Sequence, residues 1–327
     1  MQIEISGTAQ KHKSTKRKGL ASFVKEIKLN GLLYTMMIPG IVFLLLFAYL
    51  PMFGVIIAFK SLEFKKTFWD TLIQSPWVGF DNFEFFLNTP DAWRIFRNTI
   101  GYNVVFIIGG LVLTVALAIM LHELLSRKAA KFYQTVMFMP YFLSWVVVGY
   151  LAYAFLAPSG FINNGVLELL KIEKIVFYQD TRVWPYVLIF LNFWKYTGYG
   201  IIVYLASLTA IDETYYEAAT IDGATKWKQI RHITLPFLTP MMVILTILAV
   251  GRIFSGDFGL FFNVTLNQGA IKEVTEVIDT YVYNALMFGG GVEMGAAAGL
   301  FQSVIGFILI MTANYITGKI NDDNKLL

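Results

Sequence analysis

Two sets of residues in this sequence could do chemistry or mechanical work. The first lies in a polar stretch, residues 211–239, between two long apolar runs. It carries Glu217, Ala218 and Ala219, then Asp222 and Gly223, and after nine more residues Ile233, Leu235 and Pro236. Asp212 or Thr214 can cap a short helix running through Ala219, because a side-chain oxygen at that place accepts a free N–H of the first turn. Gly223 can end or bend it. A second helix would run toward Leu235, with Pro236 and Pro240 marking entry into the next apolar run. The product is a compact helix-turn-helix with Tyr215, Tyr216 and Trp227 available for burial, a shape that suits docking into a groove on a partner protein.

The second set lies inside the apolar runs. Lys195 and Arg252 each fall near the middle of one, with Asp257 further along. A Lys or Arg at the centre of a spanning helix costs about 2.5–3.5 kcal/mol, so such residues ask for a reason. Asn192, Trp194, Tyr196 and Tyr199 accompany Lys195, and Ser255 and Gly256 accompany Arg252. Ring faces that stack on the C–H faces of a sugar, with polar donors for its hydroxyls, are what saccharide binding needs. Two cations against one acid would further suit an anionic saccharide, uronate-containing or sialylated. The structural alternative is that Arg252 only pairs with Asp257 or with helix carbonyls, and that Lys195 snorkels or braces a helix.

Other chemistry is excluded or disfavoured. There is no cysteine, so no disulfide, thiol nucleophile or thiolate metal site. The three histidines (His12, His122, His232) are far apart in sequence, which makes a histidine-cluster metal site improbable. No Gly-x-x-x-x-Gly-Lys-[Ser/Thr] loop occurs, and Gly318-Lys319 lacks both flanking requirements. The chain is therefore expected to bind no ATP and to hold no cofactor of its own.

The elements that must position these residues follow from composition. The chain has 327 residues, 57% hydrophobic and 15% charged, where soluble domains carry about 25% charge. Six apolar segments, about 32–59, 98–121, 135–157, 184–209, 240–262 and 294–317, are each long enough to cross a hydrocarbon core of about 30 Å as a helix. Lipid admits only helices or closed barrels, and continuous runs favour helices. Pro140 and Pro185 sit near segment starts, where proline is tolerated. Lys and Arg number fifteen in loops on the N-terminal side (1–30, 122–134, 211–239, 318–327) and nine on the other (60–97, 158–183, 263–293). The positive-inside rule places both termini in the cytoplasm. The expected fold is an all-α, six-span membrane protein, with a permease domain over 31–318 and a short tail at 319–327. The first apolar run is too long for a secretory signal and is read as a retained span.

Leu20, Phe23, Val24 and Ile27 recur at helical spacing opposite Lys25 and Lys28, predicting an interfacial helix before the first span. The basic residues Lys11 to Lys18 fit a lipid-facing tail rather than a nucleic-acid patch. Gly295-Ala-Ala-Ala-Gly299, extended by Gly306, predicts close approach of a neighbouring helix.

Glu217-Ala218-Ala219, three residues, Gly223, nine residues, then Ile233-x-Leu235-Pro236 resembles the EAA loop of importer-type ABC permeases. Further stretches resemble the sugar-importing, maltose-permease-like branch: Trp77-Val-Gly-Phe80-Asp-Asn82-Phe83 and Ser207-Leu-x-x-Ile211-Asp212. Asp257-Phe-Gly-Leu-Phe-Phe262 and Val277-Ile-Asp-Thr-Tyr-Val-Tyr283 look like its polysaccharide and oligosaccharide subgroup. The resemblance covers about residues 30–318 and lacks that branch's large extracellular insertion and extra N-terminal spans. It implies a type I ABC importer permease fold, with 211–239 as the coupling loop seated in an ATP-binding subunit and Glu217 as polar anchor. It implies as partners a second homologous permease, two ATPase subunits that bind ATP and Mg, and an extracellular solute-binding protein. Counted from Glu217, Tyr196, Tyr199, Arg252 and Gly256 fall where maltose-type permeases contact sugar, so Lys195, Tyr196, Tyr199, Arg252, Ser255, Gly256 and Asp257 are the expected substrate pathway. Rival readings are an importer of a non-sugar solute, an ion-coupled secondary transporter, for which no clear internal repeat is found, and an intramembrane enzyme, for which no His/Asp/Glu cluster exists.

Overall fold

The computed structural model describes residues 29–320, except 64, 89, 289 and 290, and omits the side chains of 85–90 and 320. The predicted interfacial helix at Leu20–Ile27 and most of the C-terminal tail lie outside the described residues. Contacts divide the chain into two units, one ending at Val55 and the other beginning at Ile56.

Each of the six apolar segments contains helix, with breaks in the third and the fifth. They correspond to α1 (Gly31–Phe59), α4 (Pro90–His122), the pair α5 (Arg127–Phe142) and α6 (Trp145–Leu156), α7 (Trp184–Thr209), α9 (Lys226–Val250) and α11 (Val292–Ile320). Short helices α2 (Phe68–Gln74) and α3 (Asp81–Asn88) follow α1, α8 (Glu213–Ile221) lies between α7 and α9, and α10 (Ile278–Phe288) precedes α11. Four of these helices are long and apolar enough to cross a membrane, or five if the bent pair is one span. Within α1 the α-helical turns give way to π and then 3-10 turns around Pro51, which lacks the N–H that would continue the ladder.

α7 packs along α4 as the spine of the second unit. One core gathers Val148, Trp184, Leu188, Leu260, Val264 and Val277, all at 0% exposure. A second core, nearer the 211–239 loop, joins Ala118, Ile201, Leu208 and Leu238.

Two expectations about the segments require correction. The third, 135–157, is not one helix: α5 and α6 meet at 98°. Pro140 is the cause on one side, since its ring cannot continue the ladder. On the other side Ser144 restarts a helix by accepting the N–H of Val147 at 3.3 Å. The fifth, 240–262, is also broken. Its helix starts earlier, at Lys226, and ends at Val250; residues 251–257 are unwound before a π-helical turn, Leu260–Val264. Pro236 and Pro240 therefore lie within α9 rather than at its entrance, downstream of a π turn at Ile230–Thr234 that loosens the ladder.

Candidate functional site: two broken helices and an exposed turn

Unwound backbone in a membrane-spanning region must have its polar groups satisfied by the protein itself. At the α5–α6 break this is done by Lys195. Its ammonium is buried and donates to the carbonyls of Tyr141 (3.0 Å), Pro140 (3.5 Å) and Leu143. It also stands 5.2 Å from the Trp145 ring and 5.8 Å from Tyr196. The 251–257 break is satisfied from three directions. Asn103 on α4 donates to the carbonyls of Ile253 (3.0 Å) and Ser255 (3.1 Å). Gln302 on α11 donates to the carbonyl of Phe254 at 2.8 Å, and the N–H of Gly256 donates to Asp279 on α10.

The two breaks are joined through Asp257. Its Oδ2 accepts the indole N–H of Trp145 at 3.0 Å and the hydroxyl of Tyr196 at 2.8 Å, while Oδ1 accepts the N–H of Leu260. The approach is close. A Cβ on Gly259 would stand 2.1 Å from Trp145 Cδ1, so only glycine lets the indole reach the carboxylate. Tyr141 stacks on Tyr199 with centroids 4.8 Å apart and meets Tyr196 edge-on at 6.3 Å. Tyr196 and Tyr199 are 37% and 50% exposed, so the ring surface remains available beside the carboxylate.

Of the expected pathway residues, the structure brings together Lys195, Tyr196, Tyr199 and Asp257. Lys195 is engaged by carbonyls, which is the bracing alternative. Arg252 is exposed in the unwound stretch. It does not pair with Asp257, and its guanidinium has no hydrogen-bond or ion-pair partner among the described residues. Ser255 contributes a carbonyl to the break. Gly256 faces inward: a Cβ there would meet Val277 Cγ2 at 2.7 Å. Tyr141, Trp145, Asn103, Asp279 and Gln302 escaped the sequence reading. Pro140 followed by a Ser144 cap could have signalled the first break; the distant partners left no local signal.

The 211–239 stretch forms the expected helix-turn-helix. Asp212 accepts the N–H of Thr214 at 2.9 Å, and this bond holds its carboxyl below the usual range. Gly223 follows the end of α8 at φ +75°. The N–H of Ala224 bonds to the carbonyl of Ala219 at 2.8 Å and that of Gly223 to Thr220 at 3.0 Å, a Schellman closure that satisfies the helix end. Underneath, Gln229 donates to Thr220 Oγ1 and Tyr216 shares a hydrogen bond with Thr234. Ile233 and Leu235 pack on the second core. Glu217, Ala218 and Asp222 point outward, while Ala219 is half-buried. Of the rings available for burial, Tyr216 is half-buried within the turn and Tyr215 packs at 5.2 Å on the Phe237 ring, while Tyr215 and Trp227 are still 52% and 71% exposed and Ile221 is 87% exposed.

Side chains that satisfy the unwound backbone of two broken apolar helices, beside an exposed helix-turn-helix that carries both charged and ring side chains, are features that suit a membrane transport component. The chain belongs to the family of binding-protein-dependent transport system inner membrane components, whose pattern matches residues 110–322. It is similar to the protein LplB of Bacillus subtilis (strain 168), 34% identical over 94% of this chain and 95% of the relative. It is also similar to the polygalacturonan/rhamnogalacturonan transport system permease protein YteP of the same organism, 33% identical over 95% and 94%. A crystal structure of a bacterial ABC transporter involved in the import of the acidic polysaccharide alginate superposes with TM-score 0.81 at 32% identity, covering 91% of this chain and 99% of that one.

Proposed function

We propose that this chain is a permease subunit of an ATP-driven importer that moves an oligosaccharide, of the acidic class, from an extracellular binding protein into the cytoplasm. The observation that carries the reading is the exposed ring surface of Tyr196 and Tyr199, backed by the half-buried Tyr141, beside Asp257 and between two broken helices. Stacked rings bind saccharides through their C–H faces, and discontinuous helices are where membrane transporters place substrate. The acidic class is supported by Arg252, which is exposed and has no partner among the described residues, and by the substrates named for the two similar transporters, polygalacturonan or rhamnogalacturonan and alginate.

In this reading six spans leave both termini in the cytoplasm, and a second homologous permease completes the pathway. Two ATPase subunits carry ATP and Mg. They grip the outward face of the 211–239 turn through Glu217, Ala218 and Ile221 on α8, Asp222 just after it and Trp227 at the start of α9, with Gly223, Ile233, Leu235 and Pro236 holding that face in place. ATPase closure pushes on α8, and the second core passes the push to α7 and α9. The breaks at 139–144 and 251–257 are where those helices can pivot. No covalent chemistry takes place in the chain.

The test is a gentle detergent pull-down from the native host through a C-terminal tag. Recovery of a second six-span protein and a P-loop ATPase is the expected result. A chain that emerges alone or as a homodimer in several detergents contradicts it.

A further inference from the structure

α2 is an amphipathic helix turned inside out. Its polar side faces the protein: Thr71 is 7% exposed, accepting the N–H of Lys65 at 2.9 Å, and Ser75 is 3% exposed, accepting the N–H of Glu63 at 2.9 Å. Its apolar side faces away from it. Phe68, Trp69 and Ile73 share one arc of the helix and are 63%, 66% and 71% exposed. In water such a face would be an uncovered liability.

The depth of α2 is fixed by the chain that leaves α1. Lys60, the residue after Phe59, is 3% exposed. Its ammonium donates to the carbonyls of Leu72 (2.6 Å), Ile73 (3.1 Å) and Ser75 (3.1 Å), the negative end of α2. Val78 N–H bonds to the carbonyl of Phe59 at 3.0 Å, and Asn82 donates to Ala58 and Lys60. The C-terminus of α2 is therefore bonded directly to Lys60, the residue that follows the last turn of α1.

We propose that α2 is an interfacial anchor, lying along the membrane surface with Phe68, Trp69 and Ile73 in the headgroup–acyl boundary of the lipid. The occupant of the face is phospholipid because α2 follows within nine residues of an apolar helix long enough to span a membrane, and its face carries the aromatic composition favoured at the membrane interface. Leu62, between α1 and α2, donates its N–H to Glu293 at the start of α11 at 2.6 Å. Through Leu62 the segment that leads into α2 is thus also bonded to the first turn of α11.

The chain has no cysteine, so single cysteines placed by Phe68→Cys, Ile73→Cys and Lys66→Cys can be nitroxide-labelled in the assembled transporter in lipid nanodiscs. Power saturation then compares access of oxygen, which concentrates in hydrocarbon, with access of a water-soluble nickel chelate. The expected result is an oxygen-to-nickel ratio several-fold higher at 68 and 73 than at the solvent-facing position 66, with or without the extracellular binding protein. Nickel access at 68 and 73 equal to that at 66 would overturn the anchor. So would shielding from both reagents, or protection that appears only when the binding protein is added, since these mean a protein partner.

Discussion

The Tyr196 hydroxyl donates to Asp257 Oδ2 at 2.8 Å, and this bond ties the middle of α7 to the far side of a broken span. Trp145 shares the same oxygen from the other break. One carboxylate therefore fixes the relation between both unwound stretches, and its removal should be felt in transport more than in folding.

Asp257→Ala leaves the Trp145 and Tyr196 donors without their acceptor. We expect uptake to fall at least about tenfold, the equivalent of the 1.5–3 kcal/mol carried by hydrogen bonds to a charged group. Tyr196→Phe removes one donor only and should cost about 0.6–1.7 kcal/mol, the range for interhelical bonds in membranes. Initial uptake rates in vesicles, set against thermal midpoints in detergent, check both. Wild-type uptake by Asp257→Ala would remove the carboxylate from the mechanism.

Lys195→Met should behave as a broken brace. Carbonyls at the α5–α6 bend lose their donor, at about 1–3 kcal/mol for each group left unsatisfied. The expected signature is a lower melting midpoint with an unchanged ranking of substrates. A variant of normal stability with altered substrate preference would instead make Lys195 a ligand.

Arg252→Gln removes an exposed guanidinium with no described partner, so stability should not change. Competition assays should show weakened uptake of acidic oligosaccharides and unaltered uptake of neutral ones. Equal acidic-sugar transport in variant and wild type would sink the proposal that Arg252 reads substrate charge.

Gly223→Val forces a β-branched residue into φ +75°, at a strain of about 1–2 kcal/mol. The Schellman closure should loosen, and ATP hydrolysis should lose its dependence on substrate-loaded binding protein while subunits still co-purify. Asp212 at the other end of α8 gives a pH handle. Its folded carboxyl is held low by the Thr214 N–H, so the cap is fully present above the ordinary carboxylate range and is lost as pH falls through the lowered value. Asp212→Ala should remove that acid-side dependence of α8, read by hydrogen exchange at Thr214.

Much of this architecture was legible in the sequence. Runs of 20 or more apolar residues announce helices because backbone in lipid has no alternative, and each of the six runs does contain helix, although the third and fifth are broken. The α8 turn was readable because its Asp212 cap and positive-φ Gly223 act within a few residues of one another. The breaks were not, since hydropathy registers 135–157 and 240–262 as continuous while being blind to where hydrogen bonds end. What holds them open comes from other helices: Lys195 for Leu143, Asn103 for Ser255, Gln302 for Phe254, Asp279 for Gly256. Those pairings exist only after folding. The alternative reading of Arg252, a pair with Asp257, fails for the same reason. Proximity along one helix meant nothing once the helix unwound between them.

The most direct test of the account is transport by the purified assembly in proteoliposomes, with labelled neutral and acidic oligosaccharides supplied on a binding protein. Uptake of an acidic oligosaccharide that requires both ATP inside and binding protein outside is the predicted result. Uptake that ignores ATP and follows an ion gradient, carried by this chain alone, would contradict it.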